Sequence, residues 1–247
     1  MKKSAIVLLL IASCFISACG TKKADPAPSD NFVSEDIEDS SGSSSERESL
    51  INSTVENGLL YYDSAPIPED EIKKNIKVET ETHDDMMAVM ITNNNDFVIP
   101  DLELTVAFYE NGSLVDSDKD GHDVLIPGNT VASRIEVPSN ADEFEVIIDI
   151  NWDYGTTYRN WTSNVSYESN IGNNNVMISF TNNGDVEIEE LEYVVTFYKD
   201  GEFVGISFCD DVYDFAAGST VIEEASAYPV DSFDDYKIFI NQAHTFG

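Results

Sequence analysis

The sequence is poor in cations: 13 Lys+Arg stand against 47 Asp+Glu, a formal charge of -34 over 247 residues. Nucleic acid binding needs a basic stripe, and its absence excludes that class. The same field opposes direct adsorption to anionic lipid headgroups. Histidine is scarce too. His83, His122 and His244 fall in separate segments, with no His-x-x-x-His spacing and no triad-like pattern around them. Among so many acids, a glycosidase-type carboxylate pair carries no information by inventory alone. No recognisable catalytic constellation is left, and the expectation is a protein that is not an enzyme. Apolar runs of membrane-spanning length are also missing, the longest being the short stretch from Ala5 to Ile16.

That stretch has a meaning of its own. Lys2 and Lys3 precede it, and Ile16-Ser17-Ala18-Cys19-Gly20 follows as a lipobox. The pattern resembles that of bacterial lipoproteins, which implies removal of residues 1–18 and lipidation of Cys19. One acyl chain holds a protein only marginally, and diacylglycerol on the thiol meets the need for more. The expected location is the outer face of a bacterial cell membrane. Scarce Lys and Arg, abundant Asn and Cys19-Gly20-Thr21 incline the host assignment to Gram-positive. Cys14 leaves with the signal and Cys19 carries lipid, so Cys209 has no disulfide partner. It lies in the apolar run Val204-Gly205-Ile206-Ser207-Phe208-Cys209, which reads as a buried, inert thiol.

Residues 19–57 are rich in Ser, Asp, Glu and Pro, and Asp39-Ser40-Ser41-Gly42-Ser43-Ser44-Ser45 typifies them. Such a segment buries too little surface to offset chain entropy and reads as a disordered tether. Residues 46–62 admit either a short helix or a strand.

The remainder is a duplication. Thr92 to Gly112 reads TNNNDFVIPDLELTVAFYENG and Thr181 to Gly201 reads TNNGDVEIEELEYVVTFYKDG, identical at 11 of 21 positions without a gap. Leu102, Leu104, Val106 and Phe108 alternate with polar or smaller residues, and Leu191, Tyr193, Val195 and Phe197 repeat the pattern. A period of two assigns one row to a buried face. Asn111-Gly112 and Asp200-Gly201 sit between alternating runs, as type I′ hairpin turns require. The predicted fold is all-β: two tandem antiparallel immunoglobulin-like β-sandwiches of about seven strands each. Module 1 occupies 58–151, an aromatic joint 152–163 and module 2 164–247.

The strand-turn-strand with Phe108-Tyr109 or Phe197-Tyr198 before the turn precedes Pro127-Gly128-Asn129-Thr130-Val131 in one copy and Ala217-Gly218-Ser219-Thr220-Val221 in the other. This combination resembles the FxLYD-type immunoglobulin-like modules of bacterial surface lipoproteins. The resemblance implies a scaffold for binding or spacing and brings no catalytic residues.

Two candidate sites stand out. Asp116, Asp118 and Asp120, followed by Gly121, match the opening half of an EF-hand loop, although its twelfth position is Pro127 instead of Glu. The readings are a Ca²⁺ site or a solvated edge hairpin. Trp152, Tyr154, Tyr158 and Trp161 cluster between the copies. They suit either a binding surface for sugar rings or the packing of the joint. The reading that unites these features is a lipid-anchored, non-catalytic binding or adhesive protein of the envelope. Its partner would be an envelope protein or a wall polymer, with the membrane reached through the N-terminal lipid. A passive spacer and a carboxylate-based hydrolase are the alternatives.

Overall fold

The computed structural model describes residues 54–56, 59–62, 65–67, 69–151, 158–227 and 229–246. The lipobox, nearly all of the expected tether, Trp152 and Tyr154 lie outside them. The chain is all-β, as the alternation requires. It opens with an antiparallel meander of β1 (Thr54–Glu56), β2 (Leu59–Tyr62) and β3 (Ala65–Ile67), which places strands in part of the ambiguous 46–62 segment. A short helix, α1 (Glu69–Lys74), follows. Its Ile72 is 1% exposed and packs into the first core, so α1 acts as a plug.

The first sandwich runs through β4 (Ile76–His83), β5 (Met86–Asn93), β6 (Ile99–Glu110), β7 (Ser113–Leu125), β8 (Thr130–Glu136) and β9 (Glu143–Ile150). Its sheets have the orders β4-β5-β8 and β7-β6-β9. After β10 (Tyr158–Asn160) and a 3₁₀ turn at Thr162–Asn164, the second copy repeats this layout. It contains β11 (Val165–Ile171), β12 (Asn175–Asn182), β13 (Ile188–Lys199), β14 (Glu202–Ile206), β15 (Asp210–Phe215), β16 (Thr220–Ser226) and β17 (Asp235–Phe246). Its sheets are β11-β12-β16 and β10-β17-β13-β14, with β15 also on β13. Among the described residues the two copies share six strand positions, β14 and β15 together filling the place of β7, so that the second copy has the seven strands expected. No strand of the first copy pairs, among the described residues, with the outer side of β9, and in the second only the short β10 lies there beside β17.

Register explains the burial. Leu102, Leu104, Val106 and Phe108 stand opposite Ile150, Ile148, Val146 and Phe144, all facing the first core. Leu191, Tyr193, Val195 and Phe197 line the second. Each such side chain contributes about 1.5–3 kcal/mol by leaving water. The repeated Thr-Asn-Asn motif also has a structural role. The Asn93 amide nitrogen donates to the carbonyls of Phe97 and Leu125 while its oxygen accepts from the Asn95 N–H, at 2.9, 2.9 and 3.0 Å. Asn182 does the same with Val186, Phe215 and Gly184 at 2.9, 3.0 and 2.9 Å. One fully buried side chain thus satisfies three backbone groups that the loop leaves unpaired. Asn111 and Gly112 take φ of 50° and 75°, and Asp200 and Gly201 take 53° and 81°, as the turn type demands.

The two sandwiches share a third apolar cluster. The row alternating with the second core points outward from β13, and Val194 and Tyr198 of that row join Phe203 and Ile206. They meet Ala88, Met90 and Ala132 on the outer face of β5 and β8. The Tyr198 hydroxyl donates to Glu81, and Lys237 donates to Tyr198 at 3.0 Å while lying over its ring. Asn241 accepts from the Ala132 N–H and donates to the Ala132 carbonyl, at 2.9 and 3.0 Å. The copies are thus joined face to face, beyond any contribution from the linking aromatic segment.

Candidate functional site

The seam between the sandwiches opens at one end into a cleft of about 400 Å³. Four elements build it: β7 with Asp118, Lys119 and Asp120, β8 with Ala132, Arg134 and Glu136, β13 with Glu192 and Val194, and β17 with Asn241. Phe208 and Cys209, between β14 and β15, complete the wall.

The second copy reaches this cleft through its departures from the first. In the first copy β7 runs unbroken along β6, pairing Ala107 with Ser117 and Leu104 with Asp120. In the second, Thr196 pairs with Ile206 and Tyr193 with Asp210, so one extra residue lies between the paired positions. The strand breaks at Ser207-Phe208-Cys209, and Phe208 stands 59% exposed. A second extra residue occurs in β17, where Tyr193 pairs with Ile240 and Glu192 with Gln242. The bulged residue is Asn241, the one that clamps Ala132. A bulge re-aims a side chain without moving the rest of the strand.

The charges in the cleft are unevenly satisfied. The Arg134 guanidinium lies 3.7 Å from the Phe208 ring centroid. Its Nε is buried without a hydrogen-bond partner. Lys73, Lys74 and Lys77 hold carboxylates, Lys199 holds a hydroxyl and Lys237 a phenol. Among the described residues the side-chain nitrogens of Lys119 and Arg134 hold no such acceptor, and both line the cleft. Glu192, by contrast, accepts from Asn241 at 2.9 Å and Gln242 at 3.0 Å. Burial raises its pKa, and hydrogen bonds from Asn241 and Cys209 lower it. Asp123, just behind, is pushed up to about 6 by burial and by the Asp101 and Glu192 charges.

Cys209 corrects the expectation of a buried thiol: the residue is exposed. The reading as an unreactive thiol keeps a physical basis, because desolvation of the sulfur and then the Glu192 carboxylate push its pKa well up. Glu192, Cys209 and Asp211 bring one ligand atom each within 4.8 Å of one another. As metal donors they are poorly prepared, since the thiol is held protonated and Glu192 is already engaged.

The sequence candidates are spread out. Asp116, Asp118 and Asp120 lie along β7, where alternate residues stand about 6.6 Å apart. Their carboxylates turn back to the amides of Ser117, Lys119 and Gly121 at 2.8, 2.9 and 2.9 Å, so they form no convergent loop. Asp118 and Asp120 nevertheless reach the cleft. Of the aromatic candidates, Trp161 packs on the second core and donates to Thr245 at 3.1 Å, away from the cleft. Tyr158 lies in β10, whose Asn160 side chain reaches the Val124 carbonyl of β7 at 2.8 Å. Serine does meet histidine once, Ser133 Oγ lying 2.8 Å from His122 Nε2. Both are buried inside the first sandwich, and Asp120 approaches that same nitrogen at 4.0 Å, leaving no relay through Nδ1. His83 pairs with Asp84 in an exposed turn and His244 with Glu190, so the histidines stay apart.

Sequence reasoning missed Arg134, Phe208 and Asn241. The changes of offset between the copies were the available signal: Ile206 answers Ser117 and Asp210 answers Asp120, one residue later, and within β17 Ile240 answers Ile148 while Gln242 answers Asp149, one residue later again.

No protein-family profile matches the chain, and no curated protein matches it. Among solved structures, the crystal structure of the C-terminal globular domain of an oligosaccharyltransferase from Pyrococcus abyssi aligns at 10% identity and a TM-score of 0.19. The alignment covers 76% of this chain and 43% of that one. So slight a likeness carries no argument about fold or function.

Proposed function

We propose that this chain is a lipid-anchored, extracytoplasmic binding protein of the bacterial envelope. The lipobox supports the anchor, and the two modules support the assignment to the FxLYD-type group. One observation carries the binding reading: both single-residue departures of the second copy, Phe208 and Asn241, arrive at the same cleft as Lys119 and Arg134, whose side-chain nitrogens hold no acceptor among the described residues. Duplicated modules that serve only as spacers have no need of a divergence focused on one concavity. The role is non-catalytic contact with an envelope component through this cleft.

Three measurements test it. Globomycin treatment should make the precursor accumulate, and its failure to do so removes the anchor. Full-length protein should retain a component of envelope extract that Phe208→Ala releases; equal retention by the variant removes the cleft. Turnover of any substrate in a chromogenic hydrolase panel would overturn the non-catalytic assignment. A passive spacer is the second reading, favoured by the buried apolar seam, and it predicts that nothing is retained.

A further inference from the structure

We infer that the seam cleft binds a short zwitterionic peptide, its carboxylate on the Arg134 guanidinium and its ammonium on the facing acids. The inference rests on the binding reading above and names its ligand class. A guanidinium stacked on an aromatic ring uses its face and leaves its N–H edge free, and that edge matches a carboxylate bidentately. Arg134 Cζ lies 3.7 Å from the Phe208 centroid and no acceptor sits on its nitrogens among the described residues; because its Nε is buried, the edge open to a carboxylate is that of the two Nη groups. In a chain of charge -34, an arginine that meets no carboxylate among the described residues is open to one on a ligand.

The lining decides what else the ligand carries. The Glu136 carboxylate accepts no hydrogen bond among the described residues, Asp118 holds only the neighbouring amide, and Asp120 holds its neighbouring amide with His122 Nε2 4.0 Å away. These acids repel a polyanion and welcome an ammonium a few bonds from the carboxylate. The cleft volume of about 400 Å³ lies within the range of small-ligand pockets, roughly 300–1,000 Å³.

Calorimetry on the full-length protein in detergent micelles tests this with alanyl-lysine, its C-terminal amide and its N-acetyl form. The free dipeptide should bind saturably at millimolar concentration or below, and the amide at least tenfold more weakly. The N-acetyl form, which keeps one ammonium on the lysine side chain, should bind severalfold more weakly. Arg134→Gln should lose at least tenfold while keeping the wild-type melting temperature to within a few degrees. Arg134→Lys should fall between, because it keeps the charge and loses the fork. Equal binding of acid and amide, equal binding by Arg134→Gln, or no saturable heat overturns the ligand class. If alanyl-lysine gives no heat while Phe208→Ala still releases the envelope component, the ligand class fails and the binding reading stands. If neither the dipeptide nor anything in the extract is held, both fail.

Discussion

Asn93 and Asn182 show how much one residue type at one position can do. Each is fully buried and satisfies three backbone groups where a strand ends. Replacing either with Ala strands two carbonyls and an N–H, and should cost about 3 kcal/mol in a urea melt. Similar losses for the two substitutions would confirm equivalent roles in the two copies. Asp123 makes the opposite case. Its folded pKa of about 6 lies above the ordinary 3.8, so the native state holds its proton more tightly than the unfolded chain. Its contribution to stability therefore falls as pH rises from about 4 to 6. Asp123→Asn should melt a few degrees above wild type at pH 7.5, with the gap closing only below about pH 4. Comparing variant with wild type cancels the contrary effect of buried His122 and of His244, whose pKa values are lowered by burial. A gap independent of pH would show that Asp123 is not under charge strain.

Among the elements, the copies are most alike where local rules act and differ where they touch each other. Alternation and the Asn-Gly and Asp-Gly turns were legible in sequence because each depends on residues close along the chain, whereas the burial of Asn93 and Asn182 was not, because each meets a carbonyl on a distant strand, Leu125 or Phe215. The strand break between β14 and β15 was not, because one inserted residue leaves the alternation on either side intact. Helix α1 was missed for a related reason: six residues are too few to display a helical period. The first copy carries Asp116 at the position where the second carries Gly205, paired with Phe108 and Phe197 respectively. A Cβ on Gly205 would collide with Val230 Cγ2 and lie 3.2 Å from Met86 Cε. Gly205→Ala should destabilise by about 1–3 kcal/mol through overpacking. A neutral outcome in thermal unfolding would mean that Val230 gives way at little cost.

For the whole molecule, the seam makes two sandwiches behave as one body. Ala132 is fully buried there, facing away from its own core. Ala132→Glu places an extra carboxylate in that apolar contact and removes no core side chain. Calorimetry should then show two transitions in place of one, and small-angle scattering a larger radius of gyration. An unchanged radius and a single transition would mean that the linking segment alone sets the arrangement. The seam places strand faces in contact between the copies, while residues 152–157 of the expected aromatic joint 152–163 lie outside the described residues.

What the chain settled unaided was the β class, the duplication, the hairpin turns and the two core rows. Period-two burial and positive φ are local consequences of side-chain direction and backbone sterics, and they survive being read one segment at a time. Only the folded arrangement decided that the outward row of β13 meets β5 and β8, and that Arg134 meets Phe208 and Asn241 meets Ala132. Those partners lie 74 and 109 residues apart, and no periodicity links positions that distant. Their pairing follows from which sheet face remained apolar after each sandwich had closed, a property of the assembled surfaces.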